Sequence, residues 1–227
     1  MISPAPEPSP TPETVDAIIE VEGYSPRYAA AIRELLGIEG GFVDDPADHG
    51  GATKYGISLR FLAAEGAFDE DGNGKPDFDL DMDGDIDGRD IRQLTKGDAT
   101  YLYLKCFWRP LEADQFPRPL GEMLFDQAVN GGISAARKLL QRAVNSCIMN
   151  SRVKAAPALL TVDGQIGQAT KDTVWWIVRF PALGMPALIE AYRDAVRERY
   201  RDIVRRNPSQ QRFLRGWLAR AERLGRI

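Results

Sequence analysis

Residues 38–58 read IEGGFVDDPADHGGATKYGIS. One acid, Glu39, stands against Gly40-Gly41, and Asp44, Asp45 and Asp48 crowd against Gly50-Gly51. Acids beside flexible backbone serve as a turn, a metal loop or an acid/base pair. A metal loop fits poorly, because these aspartates do not alternate as calcium ligands do. A phosphate cradle fails too, since GGATK lacks the P-loop spacing. The third reading is two acids facing each other across a cleft. Upstream, SPRYAAAIRELLGI predicts a helix with Ala31, Leu35, Leu36 and Ile38 on one face, ended by Gly40-Gly41. Glu39 then sits at the helix C-terminus. Asp45-Pro46, Gly50-Gly51 and Gly56 predict a small β-ribbon or ordered loop over 42–57. Such an element can bring Asp48, nine residues after Glu39, back opposite it, with Thr53 five further on. Glycoside hydrolysis needs this set: an acid to protonate the leaving oxygen, and a carboxylate and a hydroxyl to position water.

The rest of the chain reads as helices. SLRFLAAEGAF is a short one, with Ser58 as N-cap. LTKGDATYLYLKCFW is another, capped by Thr95, with Ala99, Leu102, Cys106 and Phe107 on a common face. Residues 120–145 give two helices broken at Gly131-Gly132, the second burying Leu139, Leu140, Ala143 and Val144. VDGQIGQATKDTVWWIV is a glycine-marked turn and then a helix capped near Gln168 to Thr170. In MPALIEAYRDAVRERYRDIVRR, Leu188, Tyr192, Val196, Tyr200 and Ile203 form an amphipathic stripe. FLRGWLARAERL closes the chain as a short helix. The fold class expected is mainly α, with a small β-ribbon beside the site.

With 227 residues the chain is long enough for a sizeable core. It contains no run of about 18 apolar residues, so stable membrane insertion is not expected. MISPAPEPSPTPET lacks the basic and apolar regions of a secretory signal, and its prolines predict an extended, partly disordered lead over 1–27. Cys106 and Cys147 lie in apolar surroundings and read as free buried thiols. The net charge of −4 hides an asymmetry: residues 1–113 hold 10 Lys/Arg against 23 Asp/Glu, and residues 114–227 hold 19 against 10. The basic half suits an anionic polymer. No recognition helix or aromatic platform accompanies it, so nucleic acid is not expected as a partner.

Residues 69–90, DEDGNGKPDFDLDMDGDIDGRD, carry the most specific spacing in the chain. In a twelve-residue calcium loop opening at Asp79, Asp81 and Asp83 take positions 3 and 5, and Gly84 makes the sharp turn at 6. Asp85 offers its carbonyl at 7, Asp87 stands at 9 and Asp90 at 12. A second frame opens at Asp69, with Asp71, Asn73, Gly74, Lys75 (through its carbonyl) and Asp77. Its twelfth position is Leu80, which cannot ligate, so that loop is incomplete or shares ligands. Ten acids here face only Lys75 and Arg89, and without a cation they repel one another. The expectation is one calcium ion at Asp79–Asp90 and a second at the first frame, in an inserted clamp rather than a sensor, which needs an opening helix pair.

EGGFVDDPADHGGATKYGIS resembles the signature of glycoside hydrolase family 108, the phage-type N-acetylmuramidases. DIRQLTKGDATYLYLKCFWRPL and LFDQAVNGG resemble later segments of that family, and LLQRAVN with TVDGQIGQAT resembles the peptidoglycan-binding part found C-terminal to it. The resemblance covers residues 28–227. It implies a lysozyme-like α+β fold and hydrolysis of the β-1,4 bond between N-acetylmuramic acid and N-acetylglucosamine. Glu39 is implied as general acid, its pKa raised by an apolar wall such as Phe42 or Phe125. By analogy with the Glu–Asp–Thr arrangement of T-even-like phage lysozymes, Asp48 and Thr53 position the water. The reaction then inverts, with the two carboxyls about 6.5–9.5 Å apart. Tyr55, Trp108, Asp126 and Asn130 are candidates for sugar contacts; Tyr55 and Trp108 serve equally as core aromatics, and Asp126 and Asn130 equally as cap and turn residues. His49 stands where proline is common, and the acidic insert is longer than many members carry.

The expected organisation is a lead over 1–27, a catalytic part over 28–130 that includes the calcium insert 69–90, and a helical peptidoglycan-binding-like part over 131–227 packed into the same domain. The chain is expected to be a monomeric endolysin made in the cytoplasm, exported through a holin or a secretion system, and active on the wall in the periplasm or after release. Two rivals stand beside it: a lytic transglycosylase, and a non-catalytic wall-binding protein on the same scaffold.

Overall fold

The computed structural model describes residues 24–38, 51–70 and 72–226. The lead over 1–23, the Gly40-Gly41 helix end and the acids Glu39, Asp44, Asp45, Asp48 and Asp71 lie outside the described residues, as do Phe42 and His49. By contact density the chain divides into two compact units, Met1–Cys106 and Phe107–Ile227. The division falls inside a π-helical turn, Leu104–Trp108, that continues the predicted LTKGDATYLYLKCFW helix.

In the first unit α1 spans Pro26–Ile38. Ser25 caps it, its hydroxyl accepting from the Tyr28 N–H at 3.2 Å, and Pro26 follows where no N–H is needed. The helix therefore begins inside the stretch read as a lead. Its buried stripe is Tyr28, Ile32 and Leu35, with Ala31 and Leu36 only half-buried. The face is rotated from the predicted one because the Tyr28 ring fills the core while its hydroxyl donates to the Thr100 carbonyl. Burial pushes that phenol's pKa far above its usual value. Strands β1 (Thr53–Lys54) and β2 (Ile57–Ser58) pair antiparallel, Thr53 opposite Ser58 and Lys54 opposite Ile57. Tyr55 and Gly56 turn the ribbon with φ of 53° and 77°. Two successive positive φ values are the mark of a type I′ hairpin, whose twist matches the strands. Ser58 then caps α2 (Leu59–Glu65) by accepting from the Phe61 N–H at 3.2 Å. Beyond the acidic segment, α3 (Gly88–Gln93) and α4 (Lys96–Tyr103) each open on a capping box, Asp87 with Asp90 and Thr95 with Asp98.

The second unit is a helical bundle: α5 (Leu120–Gly131), α6 (Ile133–Ser151), α7 (Gln168–Arg179), α8 (Gly184–Arg206) and α9 (Gln211–Arg223). Gly132 breaks α5 from α6 at φ 86° and ψ 151°, a backbone region open essentially to glycine alone. Leu139, Leu140, Ala143 and Val144 of α6 pack on α8, which buries Leu188, Tyr192, Val196 and Tyr200; Ile203, the last of the predicted stripe, is half-buried. Cys147 lies in this core, where burial raises its thiol to about 11, so it is inert packing.

The glycine-marked turn after α6 is held by one buried amide. Gln141, 2% exposed, donates to Asp163 Oδ1 at 2.8 Å and to the Gln165 carbonyl at 3.0 Å, and accepts from the Gly164 N–H at 2.8 Å. Removing it strands a buried N–H, so Gln141→Ala should cost about 2–3 kcal/mol in thermal or urea unfolding. A loss below about 0.5 kcal/mol would contradict this account. The same amide, followed by the Gln165 N–H, holds the Asp163 carboxyl below its usual range. That contribution is present above the unfolded-state pKa of aspartate and fades as pH falls through the lowered one, so the gap between parent and variant should narrow in acid.

Candidate active site and acidic loop

Of the three residues read as catalytic, Thr53 is described. It stands on β1, half-buried, its hydroxyl 3.4 Å from the Gly51 carbonyl. Gly51, at φ +73°, bends the chain into the ribbon, and the Leu59 N–H bonding to the Ala52 carbonyl at 2.9 Å closes its base. The ribbon is anchored at two further points: Lys54 Nζ donates to the Arg92 carbonyl at 2.7 Å, and the Tyr103 hydroxyl donates to the Tyr55 carbonyl at 3.2 Å. Tyr55 is a buried turn residue with the Lys54 ammonium 5.3 Å from its ring centroid. The local sequence thus fixes Thr53 on a pinned hairpin, the rigid support that a water-positioning hydroxyl needs.

The other sugar-contact candidates belong to the second unit. Trp108 is 2% exposed, its indole N–H donates to Asp114 at 2.8 Å, and its ring meets Phe125 edge-on at 5.4 Å. As placed it packs the core and offers no stacking face. Asp126, on α5, takes a two-pronged ion pair from Arg220 of α9, at 2.6 and 3.2 Å. Asn130 is exposed and donates to the Asp126 carbonyl at 2.7 Å.

The acidic loop has its own geometry. Asp79, 4% exposed, accepts from the Asp83 and Gly84 N–H groups at 3.0 and 2.9 Å. Asp90, fully buried, accepts from Leu80, Asp81 and Asp87, so positions 1 and 12 close the loop together. Asp79, Asp81 and Asp83 each aim a carboxylate oxygen to within 4.8 Å of the others. The charge is felt locally: Asp83, then desolvation and Asp87, push the Asp85 carboxyl above its usual range. Arg89 acts as an internal counter-charge, pairing with Asp83, with Asp87 at 3.1 Å and with Asp81 at 3.4 Å. The first frame repeats the turn: Asp69 accepts from Asn73 and Gly74 at 3.0 and 2.8 Å, and Asn73 from Lys75 at 2.8 Å. Glu70 within it pairs with Lys105 and takes the Tyr101 hydroxyl.

One feature was not read from the sequence. The outer face of α7 carries a groove of about 550 Å³ lined by Asp172, Trp175, Trp176, Arg179, Phe180 and Pro181. The signal was present in DTVWWIVRFP as two i,i+4 pairs, Trp175–Arg179 and Trp176–Phe180, beside the core positions Val174 and Ile177.

A mainly helical chain whose described residues include one short ribbon carrying the candidate hydroxyl has a lysozyme-like architecture. Residues 32–132 match the family Glycosyl hydrolase 108, and residues 135–222 match a Predicted Peptidoglycan domain. Over the first of these stretches the chain is similar to glycosyl hydrolase family 108, and this match supports a glycoside hydrolase acting on peptidoglycan. A solved structure of Brucella abortus SagA is similar at 26% identity and a TM-score of 0.61, over 87% of this chain and 90% of that one. No curated protein matches. Among the described residues no helix is long and apolar enough to cross a membrane.

Proposed function

We propose that the chain is an N-acetylmuramidase that hydrolyses the β-1,4 bond between N-acetylmuramic acid and N-acetylglucosamine. The observation that carries this is the family match over 32–132, which spans Glu39, Asp48 and Thr53 together. In this reading Glu39 donates its proton to the departing O4 of N-acetylglucosamine. Asp48 and Thr53 hold the water that adds to the muramic C1, Asp48 taking its proton. Water's hydroxyl ends on the muramic sugar, and the proton balance returns Glu39 to its acid form through solvent.

The acidic loop binds calcium in the same reading, through Asp79, Asp81, Asp83, the Asp85 carbonyl and Asp90. Asp69, Asp71, Asn73 and the Lys75 carbonyl serve a second ion. Support comes from the oxygens of Asp79, Asp81 and Asp83 gathered within 4.8 Å. Arg89, about half exposed, is free to swing away when a cation enters. The enzyme acts as an endolysin of phage or prophage type, reaching the wall through a holin or a secretion system.

Mass spectrometry of digested, purified peptidoglycan tests the reaction. New reducing muramic ends, one water heavier than the uncut strand, are expected. Products ending in 1,6-anhydromuramic acid would make the chain a transglycosylase, and no release at all would leave a wall-binding scaffold.

A further inference from the structure

The groove on α7 is lined by none of the residues read as catalytic. The helix has two faces. Thr170, Thr173, Val174 and Ile177 point into the bundle. Asp172, Trp175, Trp176, Arg179 and Phe180 line the groove on its outer side, and Pro181 ends the helix and closes one end. Trp176 and Phe180 stack on each other at 5.0 Å and 19°, giving a flat apolar wall. Trp175 is a large aromatic left 36% exposed. The Arg179 guanidinium lies 5.4 Å from the Trp175 ring and, among the described residues, pairs with no carboxylate. Asp172 is exposed, accepting only from Gln168 at 2.8 Å among the bonds it makes here.

Flat rings, one unmatched cation and one carboxylate are a specific chemistry. Aromatic walls accept the apolar face of a pyranose and the methyl of an acetamide. A carboxylate accepts from sugar hydroxyls and amides. A guanidinium over an indole takes a carboxylate with two parallel bonds while its own face stays stacked. The volume is that of a small-ligand cleft, about 300–1,000 Å³. Every lining residue falls within the stretch matching the peptidoglycan domain, residues 135–222. Peptidoglycan alone among the chain's expected ligands combines N-acetylated sugars with peptides that end in carboxylates.

We propose that this groove is a second, non-catalytic peptidoglycan site. An N-acetylhexosamine lies against Trp175 and the Trp176–Phe180 wall, hydrogen-bonded to Asp172, and a stem-peptide carboxylate sits on Arg179. The inference rests on the wall polymer being the ligand and not on which bond the enzyme cuts. Two sites on one chain raise the effective concentration of substrate at the catalytic one, so the groove matters for insoluble, multivalent wall and not for short soluble glycans.

The test uses the full chain. In a Glu39→Gln background, which leaves sacculi intact, Trp175→Ala, Arg179→Ala and their combination are compared in a sedimentation assay. Both positions are exposed, and matching melting curves confirm folding. Each single change should weaken binding about tenfold. In the otherwise wild-type chain the same changes should raise KM on sacculi while kcat on short soluble glycans stays within twofold. Sacculi stripped of stem peptides by an amidase separate the two contacts: there Trp175→Ala keeps its effect and Arg179→Ala loses it. Unchanged sacculus binding in the double variant overturns the proposal. So does a wild-type dimer that Trp175→Ala dissolves, since a second copy would then cover the groove. The amidase frees the lactyl carboxylate of each muramic acid, so an Arg179→Ala effect that survives stripping overturns the stem-peptide assignment.

Discussion

Glu39→Gln should lower turnover of purified peptidoglycan by about 10²–10⁴-fold, with melting temperature and wall binding unchanged. Glutamine keeps the shape of the side chain and can still hydrogen-bond the glycosidic oxygen, but it has no proton to release. The leaving O4 would then depart as an alkoxide, which is the barrier that a general acid removes. Unchanged binding separates lost chemistry from lost affinity, because an interaction made only in the transition state lowers kcat and leaves KM alone. Asp48→Asn supplies the second half of the argument. A transglycosylase closes its ring on the substrate's own hydroxyl and needs no carboxylate to hold water. A loss of about 10²-fold at Asp48, with a smaller loss of about tenfold at Thr53→Ala, fits the hydrolase alone. Residual activity of Glu39→Gln within tenfold of the parent would remove Glu39 from the acid role, and the muramidase reading with it.

What the sequence could show follows the range of the forces involved. Ser58, Thr95 and Gly132 were legible because a cap or a break is decided within three or four residues: a side-chain oxygen for an N–H, or a φ that only glycine reaches. The α8 stripe was legible because a helix's period writes its buried face into the chain. Tyr28 is absent from the expected stripe because its burial depends on the Thr100 carbonyl, a partner 72 positions away that no local pattern announces. The same distance problem governs the site. Asp126 read equally as a sugar contact or a cap, and its tie to Arg220 comes from 94 positions on. Trp108 looked equally able to stack on sugar or to pack, and the choice was made by Phe125 and Asp114. Thr53 fared better, since its place on a hairpin follows from the adjacent Tyr55-Gly56 turn. Glu39 and Asp48 fall outside the described residues, so it is their roles that the kinetic test above reads.

Calcium should raise the melting temperature of the acidic-loop unit, and a chelator should lower it again. The physical case begins with the charge: ten acids between residues 69 and 90 face Lys75 and Arg89 alone. Folding holds Asp79, Asp81 and Asp83 with oxygens within 4.8 Å of one another, a cost that the unfolded chain avoids by spreading them apart. Arg89 offsets part of this repulsion, but as an exposed monovalent group it is screened by solvent. A divalent ion at the centre of the loop removes the repulsion and adds direct oxygen ligation. An ion that binds only the folded state contributes about 2.7 kcal/mol at a hundredfold excess over its Kd. For a chain of this length, at about 2–4 °C per kcal/mol, that corresponds to a rise of about 5–10 °C. Asp79→Ala should abolish the rise, because Asp79 is the proposed first ligand and orders the turn through Asp83 and Gly84. It should also melt below the calcium-free parent, since the Gly84 N–H loses its acceptor and the Asp83 N–H is left with Asp81 at 3.3 Å. Sodium chloride at matched ionic strength separates ligation from screening: salt alone relaxes the repulsion and recovers only part of the shift. Melting curves that superimpose with calcium, with chelator and with Asp79→Ala would make the segment a solvated acidic loop held together by Arg89.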